Sequence, residues 1–130
     1  MIAVYVDTSV IVGLLFKQGS FKKQKAVLDS AHEVLSANLL ESELLAVCKR
    51  ENISFDRSDP YLDRISLILP ERSLRPEYTK TLSSGYCRGA DLYHLACALY
   101  LDPGAKELIF LTADEKQRVL AKELGFQVGG

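Results

Sequence analysis

The chain has 130 residues, of which 48% are hydrophobic and 25% charged, the composition of one ordinary globular domain large enough to bury a real core. Sixteen basic and seventeen acidic residues give a net charge of −1, which excludes gripping nucleic acid by bulk charge and leaves local clusters such as Lys22, Lys23 and Lys25, whose ordinary reading is solvated surface. No apolar run reaches the roughly 20 residues of a membrane span, no basic region precedes an apolar stretch as in a secretory signal, and three cysteines without close paired spacing point to free thiols in a cytoplasmic protein.

Val4 to Val6 predict a buried strand and Val10 to Phe16 an apolar helix, with Asp7 at the seam between them. Asp is a preferred cap for a helix starting at Thr8, and a capping carboxylate keeps one oxygen free for a metal ion, so both roles are open at this position. Phe21 to Ser30 predict a second helix and Glu33 to Ser36 a short strand, after which Asn38 suits the cap of a helix running to Arg50. In that helix Leu39, Leu40, Leu44, Ala46 and Val47 form one apolar arc. Glu43 falls near its middle, about 60° from Leu40 and about 40° from Val47. An unpaired carboxylate there costs several kcal/mol to bury, so Glu43 calls for a salt bridge to an Arg or for a cation in a cleft.

Asp56 to Leu69 read as helical, with Asp59-Pro60 marking a helix start. Pro70 and Pro76 bracket a short extended piece, Glu71 to Arg75, and Pro76 opens a short helix ending near Gly85. Gly89 to Leu101 predict a nearly all-apolar helix, buried on most sides. Asp91 is its only acid: the first turn suits the helix dipole, while Leu95 and Ala98 on the same face turn that face inward. His94 reads as a packing or hydrogen-bonding residue. Asp102-Pro103-Gly104 is a turn signal, Leu108 to Leu111 a strand, Asp114 to Leu124 a helix that stops at Gly125, and Phe126 to Val128 a last strand. Thr112 and Glu115 fit a capping box, which would cap this last helix without Asp114.

Short, continuously apolar strands alternating with helices predict an α/β fold, a three-layer α/β/α sandwich around a small, mainly parallel sheet. Ligands of such sheets gather beyond the carboxyl ends of the strands, where Asp7 and Asp114 stand. With Glu43 and Asp91 they make a set of oxygen ligands without Cys or His partners, which selects Mg²⁺ or Mn²⁺, ions that promote phosphodiester hydrolysis.

Asp7-Thr8-Ser9 after a strand, Ser42-Glu43-Leu44 in a helix, GADLYHLACAL around Asp91, and Thr112-Ala113-Asp114 followed by LAKELGFQV together resemble PIN domains, in order and over residues 2 to 128. The likeness is nearest to small prokaryotic members of the kind that act as VapC toxins in toxin–antitoxin pairs. The resemblance implies an endoribonuclease dependent on Mg²⁺ or Mn²⁺, with Asp7, Glu43, Asp91 and Asp114 as its acidic cluster and metal ligands, supported by the hydroxyls of Thr8, Ser9 and Thr112. It also implies RNA as substrate, an antitoxin protein as a possible partner, and a homodimer. Phe55 to Tyr86 match no specific family pattern, and substrate choice is expected to lie partly there. Two other classes compete: a PIN-like module that binds RNA or protein without cleaving, and a phosphate-handling hydrolase using Asp7 as nucleophile. The second is disfavoured because Ser9 stands where such enzymes carry another Asp.

Overall fold

A computed structural model describes residues 1–129. Its centre is a five-stranded sheet in which every neighbouring pair runs parallel, in the order β3-β2-β1-β4-β5. The strands are β1 (Ala3–Val6), β2 (Glu33–Ala37), β3 (Ser66–Ile68), β4 (Leu108–Leu111) and β5 (Gln127–Val128). The helices are α1 (Thr8–Phe16), α2 (Phe21–Ser30), α3 (Leu39–Arg50), α4 (Asp59–Leu62), α5 (Arg75–Ser84), α6 (Gly89–Leu101) and α7 (Glu115–Glu123), with a 3₁₀ turn at Phe55–Ser58.

The period of two along each strand sends alternate side chains to opposite faces, and both faces are apolar because both are covered. Tyr5, Leu35, Ala37 and Phe110 face one core, closed by Leu74 just ahead of α5, by Leu95 and Leu99 of α6 and by Leu120 of α7. Val4, Val6, Val34 and Leu111 face the other, closed by Val10, Ile11 and Leu15 of α1 and Leu40, Leu44 and Cys48 of α3. The expected three-layer α/β/α architecture is therefore present, with a sheet that is parallel throughout. Cys48, Cys87 and Cys97 are free and buried, and among the described residues no helix is long and apolar enough to cross a membrane.

The main departure from the sequence reading lies at Asp56 to Leu69. Only the 3₁₀ turn and the four residues of α4 are helical, and Ser66–Ile68 form the edge strand β3 instead. Asp59-Pro60 does start a helix, but β3 pairs with β2 from Leu35↔Ser66 to Ala37↔Ile68. The backbone amide of Asn38 extends the pairing by donating to the Ile68 carbonyl at 2.9 Å. Backbone partners supplied by β2 thus outweigh the helical spacing over the end of this stretch. Glu71 and Arg72 form a bend, and the expected extended piece stops at Leu74 because α5 already begins at Arg75. Of the apolar residues of α1, Val10, Ile11 and Leu15 are buried, and Val12, Leu14 and Phe16 are partly so.

Because β1 sits between β2 and β4, the chain leaves the sheet in opposite directions on either side of it. That reversal opens a crevice beyond the carboxyl ends of β1 and β4. Asp7 and Thr112 are the first residues past those two ends.

Candidate active site

An open depression of about 620 Å³ lies over that crevice, and Asp7, Glu43, Asp91 and Asp114 all line it, with Thr8, Ser9 and His94. The four acids come from four places in the chain: the β1–α1 seam, the second turn of α3, the first turn of α6 and the residue before α7. A separate, largely apolar cavity of about 330 Å³ between α1, α2 and Pro60–Ile65 contains one carboxylate, Asp29, which is paired with Lys25 at 2.7 Å.

Asp7 is only 4% exposed. It occupies the N-cap position of α1 but makes no side-chain cap bond. Its oxygens instead accept from Ser9 Oγ at 2.6 Å and from Thr112 Oγ1 at 2.9 Å. The helix-cap alternative for this carboxylate is therefore set aside by geometry. Burial raises its pKa to about 6, against the lowering by the Ser9 hydrogen bond, the charge of His94 and the Thr112 hydrogen bond; the like charge of Asp91 adds to the rise.

Glu43 sits part-way into the protein on α3 without the arginine partner that its apolar arc suggested. Its Oε1 accepts from Thr8 Oγ1 at 2.6 Å and lies 3.0 Å from His94 Nε2. His94 is itself buried, with Nδ1 2.8 Å from the Tyr5 hydroxyl. With a proton on Nε2 the ring donates to Glu43, while Nδ1 pairs with the Tyr5 hydroxyl. Burial alone would raise the Glu43 carboxyl, but the hydrogen bonds from His94 and Thr8 outweigh it and hold it below its ordinary value.

Asp91 and Asp114 stand at the rim, and both are exposed. The inward face expected for Asp91 holds only further along α6, where Leu95 and Ala98 are fully buried. Burial still raises the Asp91 pKa, and the neighbouring Asp114 charge raises it further. Asp114, rather than Thr112, caps α7: its Oδ1 accepts from the Gln117 amide at 3.0 Å. The predicted capping box does not form because the Thr112 hydroxyl is committed elsewhere, accepting from the Asp114 amide at 3.1 Å and facing Asp7. Glu115 merely approaches Arg118 at 3.9 Å.

Gln117, not singled out from the sequence, ties these parts together. It is 2% exposed. Its Oε1 lies 2.9 Å from Thr112 Oγ1, whose single proton serves either Gln117 or Asp7, and its Nε2 donates to the Asp91 carbonyl at 3.3 Å. The signal was present: Gln117 shares an apolar face with Leu120, Ala121 and Leu124 at the spacing i+3, i+4, i+7, and a polar residue on such a face needs partners.

The PIN-domain family model matches residues 4–123. The chain belongs to the PIN-domain family. A comparison with curated proteins finds no match. PIN domains are in general metal-dependent nucleases, so this one is a nuclease-type hydrolase. Among the described residues no three His, Cys, Asp or Glu side chains form a ready-made metal cage. The donor set of this PIN domain still fits a hard divalent cation. It is all oxygen, and Mg²⁺ takes only one or two carboxylates while keeping several waters. Burial first, and neighbouring carboxylate charge second, raise the pKa of two of these carboxyls, a cost that a bound cation would offset.

Proposed function

We propose that this PIN domain is an endoribonuclease dependent on Mg²⁺ or Mn²⁺, and the toxin of a toxin–antitoxin pair. One observation carries the nuclease reading: four carboxylates distant in the chain line one depression at the carboxyl edge of a parallel sheet. Asp7, Glu43, Asp91 and Asp114 are the residues that would hold the cation. When bound, it supplies charge neutralisation at the scissile phosphate and a water of lowered pKa. The chain's own groups do the positioning. Ser9 and Thr112 fix both oxygens of Asp7, Thr8 and His94 fix one oxygen of Glu43, and Gln117 links the β4 end to the first turn of α6. With a net charge of −1 the substrate is single-stranded or loop RNA, whose splayed backbone a groove without a strong basic patch accepts.

Purified protein with Mn²⁺ or Mg²⁺ is expected to cleave such RNA, EDTA to stop it, and Asp7→Asn or Asp91→Asn to reduce it to background. Cleavage that survives EDTA would overturn the metal dependence. The second reading is a PIN-like module that binds RNA or protein without cleaving; under it Mn²⁺ would produce no turnover. The toxin role, the antitoxin and a homodimer rest on family likeness. A two-fold pairing would give twice 14.5 kDa by light scattering, and a monomer at high concentration would remove it.

A further inference from the structure

A second, smaller pocket of about 170 Å³ adjoins the candidate active site and shares Asp91 as a wall. Its other walls are Tyr86, Cys87 and Arg88, between α5 and α6, and Lys116 and Gln117 of α7. Three features of this pocket point toward a nucleic-acid strand. Tyr86 is 66% exposed, although an aromatic ring of its size gains by burial. Lys116 Nζ lies 5.8 Å from the centre of that ring, so one face carries a cation while the exposed ring keeps a face open to solvent. Arg88 and Lys116 have no carboxylate within 4 Å among the described residues, as is true of most basic residues of the chain, but these two line one pocket.

Resting on the ribonuclease reading, we propose that this pocket is the subsite for the nucleotide next to the scissile phosphate. Its base stacks on Tyr86, and its phosphate lies between Arg88 and Lys116. The volume is well below the roughly 300–1,000 Å³ of sites for free small molecules, which suits one phosphate of a longer strand rather than a separate ligand. Single-stranded RNA is held by this combination, an aromatic platform for an unstacked base beside cations for the backbone. Asp91, common to both cavities, fixes the order along the strand. The scissile phosphate lies over the four acids, and the stacked nucleotide is its neighbour on the α7 side.

The chain contains no tryptophan, so Tyr86→Trp introduces a single indole as a reporter. Titration with an oligouridine octamer in EDTA and low salt should quench that indole saturably. Tyr86→Ala should weaken binding about tenfold, since stacking one base is worth ~1.4 kcal/mol or more. Lys116→Ala should lower the slope of log Kd against log salt by about 0.7, the value for one phosphate contact on a single strand. In Mn²⁺, Tyr86→Ala should raise KM for RNA cleavage and leave kcat unchanged. Thermal melts equal to wild type confirm that the exposed substitution has not disturbed the fold. An unquenched indole, an unchanged Kd for Tyr86→Ala, or a wild type that fails to bind the octamer each overturns the subsite. Binding that depends on Tyr86 without cleavage in Mn²⁺ keeps the subsite and removes the nuclease reading. Cleavage with a KM indifferent to Tyr86 does the reverse.

Discussion

Asp7 has a pKa of about 6 in the folded chain against about 3.9 in an unfolded one, so between those values the folded state binds more protons. Stability of the metal-free protein therefore falls as pH rises from about 4 through about 6 and stays lower at neutrality. Asp7→Asn removes the charge that is costly to bury, so the metal-free variant should melt higher than wild type at pH 7. The gain should be about 1–2 kcal/mol, less than the two units alone imply, because the amide cannot accept from Ser9 and Thr112 as a carboxylate does. Mn²⁺ at about 100 times its dissociation constant should stabilise wild type by about 2.7 kcal/mol and the variant by less. Melts of both proteins in EDTA and in Mn²⁺ read this directly, and a variant that melts lower in EDTA contradicts it. At this scale the sequence was informative wherever an acid stood against its surroundings. Asp7 between two apolar elements and Glu43 within an apolar arc were visible as anomalies. Of their partners, the hydroxyls of Thr8, Ser9 and Thr112 were named only through the family resemblance and His94 only as a packing or hydrogen-bonding residue, because Thr8, His94 and Thr112 reach the acids only through tertiary folding. Asp91 looked buried because the apolar face it shares with Leu95 and Ala98 does not fix the exposure of the first turn.

At the level of elements, one carboxylate outside the site shows what a structural acid looks like in this fold. Asp102 ends α6, and its Oδ2 accepts from the amides of Glu107 and Leu108 at 2.9 and 3.0 Å, shaping the turn that enters β4. Burial acts to raise its pKa, but those backbone donors prevail and lower it. A lowered folded pKa stabilises above the unfolded value of about 3.9 and is lost as pH falls through the folded one. Asp102→Ala should cost about 1–3 kcal/mol at pH 7, with Asp102→Asn losing less because its carbonyl can still accept both amides. The difference between wild type and Asp102→Asn should narrow as pH falls below about 3.9; a gap that does not narrow as the pH is lowered would show that charge is not the cause. The turn at Asp102-Pro103-Gly104 and the strand after it were legible because both use local chemistry. The same holds for the stop at Gly125, whose φ of +106° strains any other residue. β3 was not legible, since three edge residues become a strand only by borrowing the hydrogen bonds of β2.

For the molecule as a whole, two cores share one sheet, and each carries fully buried leucines, Leu44 on one side and Leu95 on the other. Leu44→Ala and Leu95→Ala should each cost about 2–5 kcal/mol. Strands buried on both faces couple the layers, so both variants should unfold in one transition, coincident by circular dichroism and by tyrosine fluorescence. Separate transitions for the two probes would mean that the layers melt independently. The layered architecture itself was readable from the alternation of short apolar strands and helices, because burial on both faces leaves that pattern little other outcome.

The position of β1 also governs when the protein can act. This strand, at residues 3 to 6, lies in the middle of the sheet and takes its second neighbour from Leu108–Leu111, with the Asp7 amide bonded to the Leu111 carbonyl. A ribosome making the chain releases Asp7 first and Asp114 after a further hundred residues or so, and pairing over such separations is slow to form. Until β4 docks, Asp7 lacks Thr112, the crevice lacks one wall and Asp114 is absent. On the proposed ribonuclease reading, the chain would be inert for most of its own synthesis. Nascent chains halted before residue 108 should cleave nothing in Mn²⁺, and activity should appear only once the second neighbour of β1 is free to reach it.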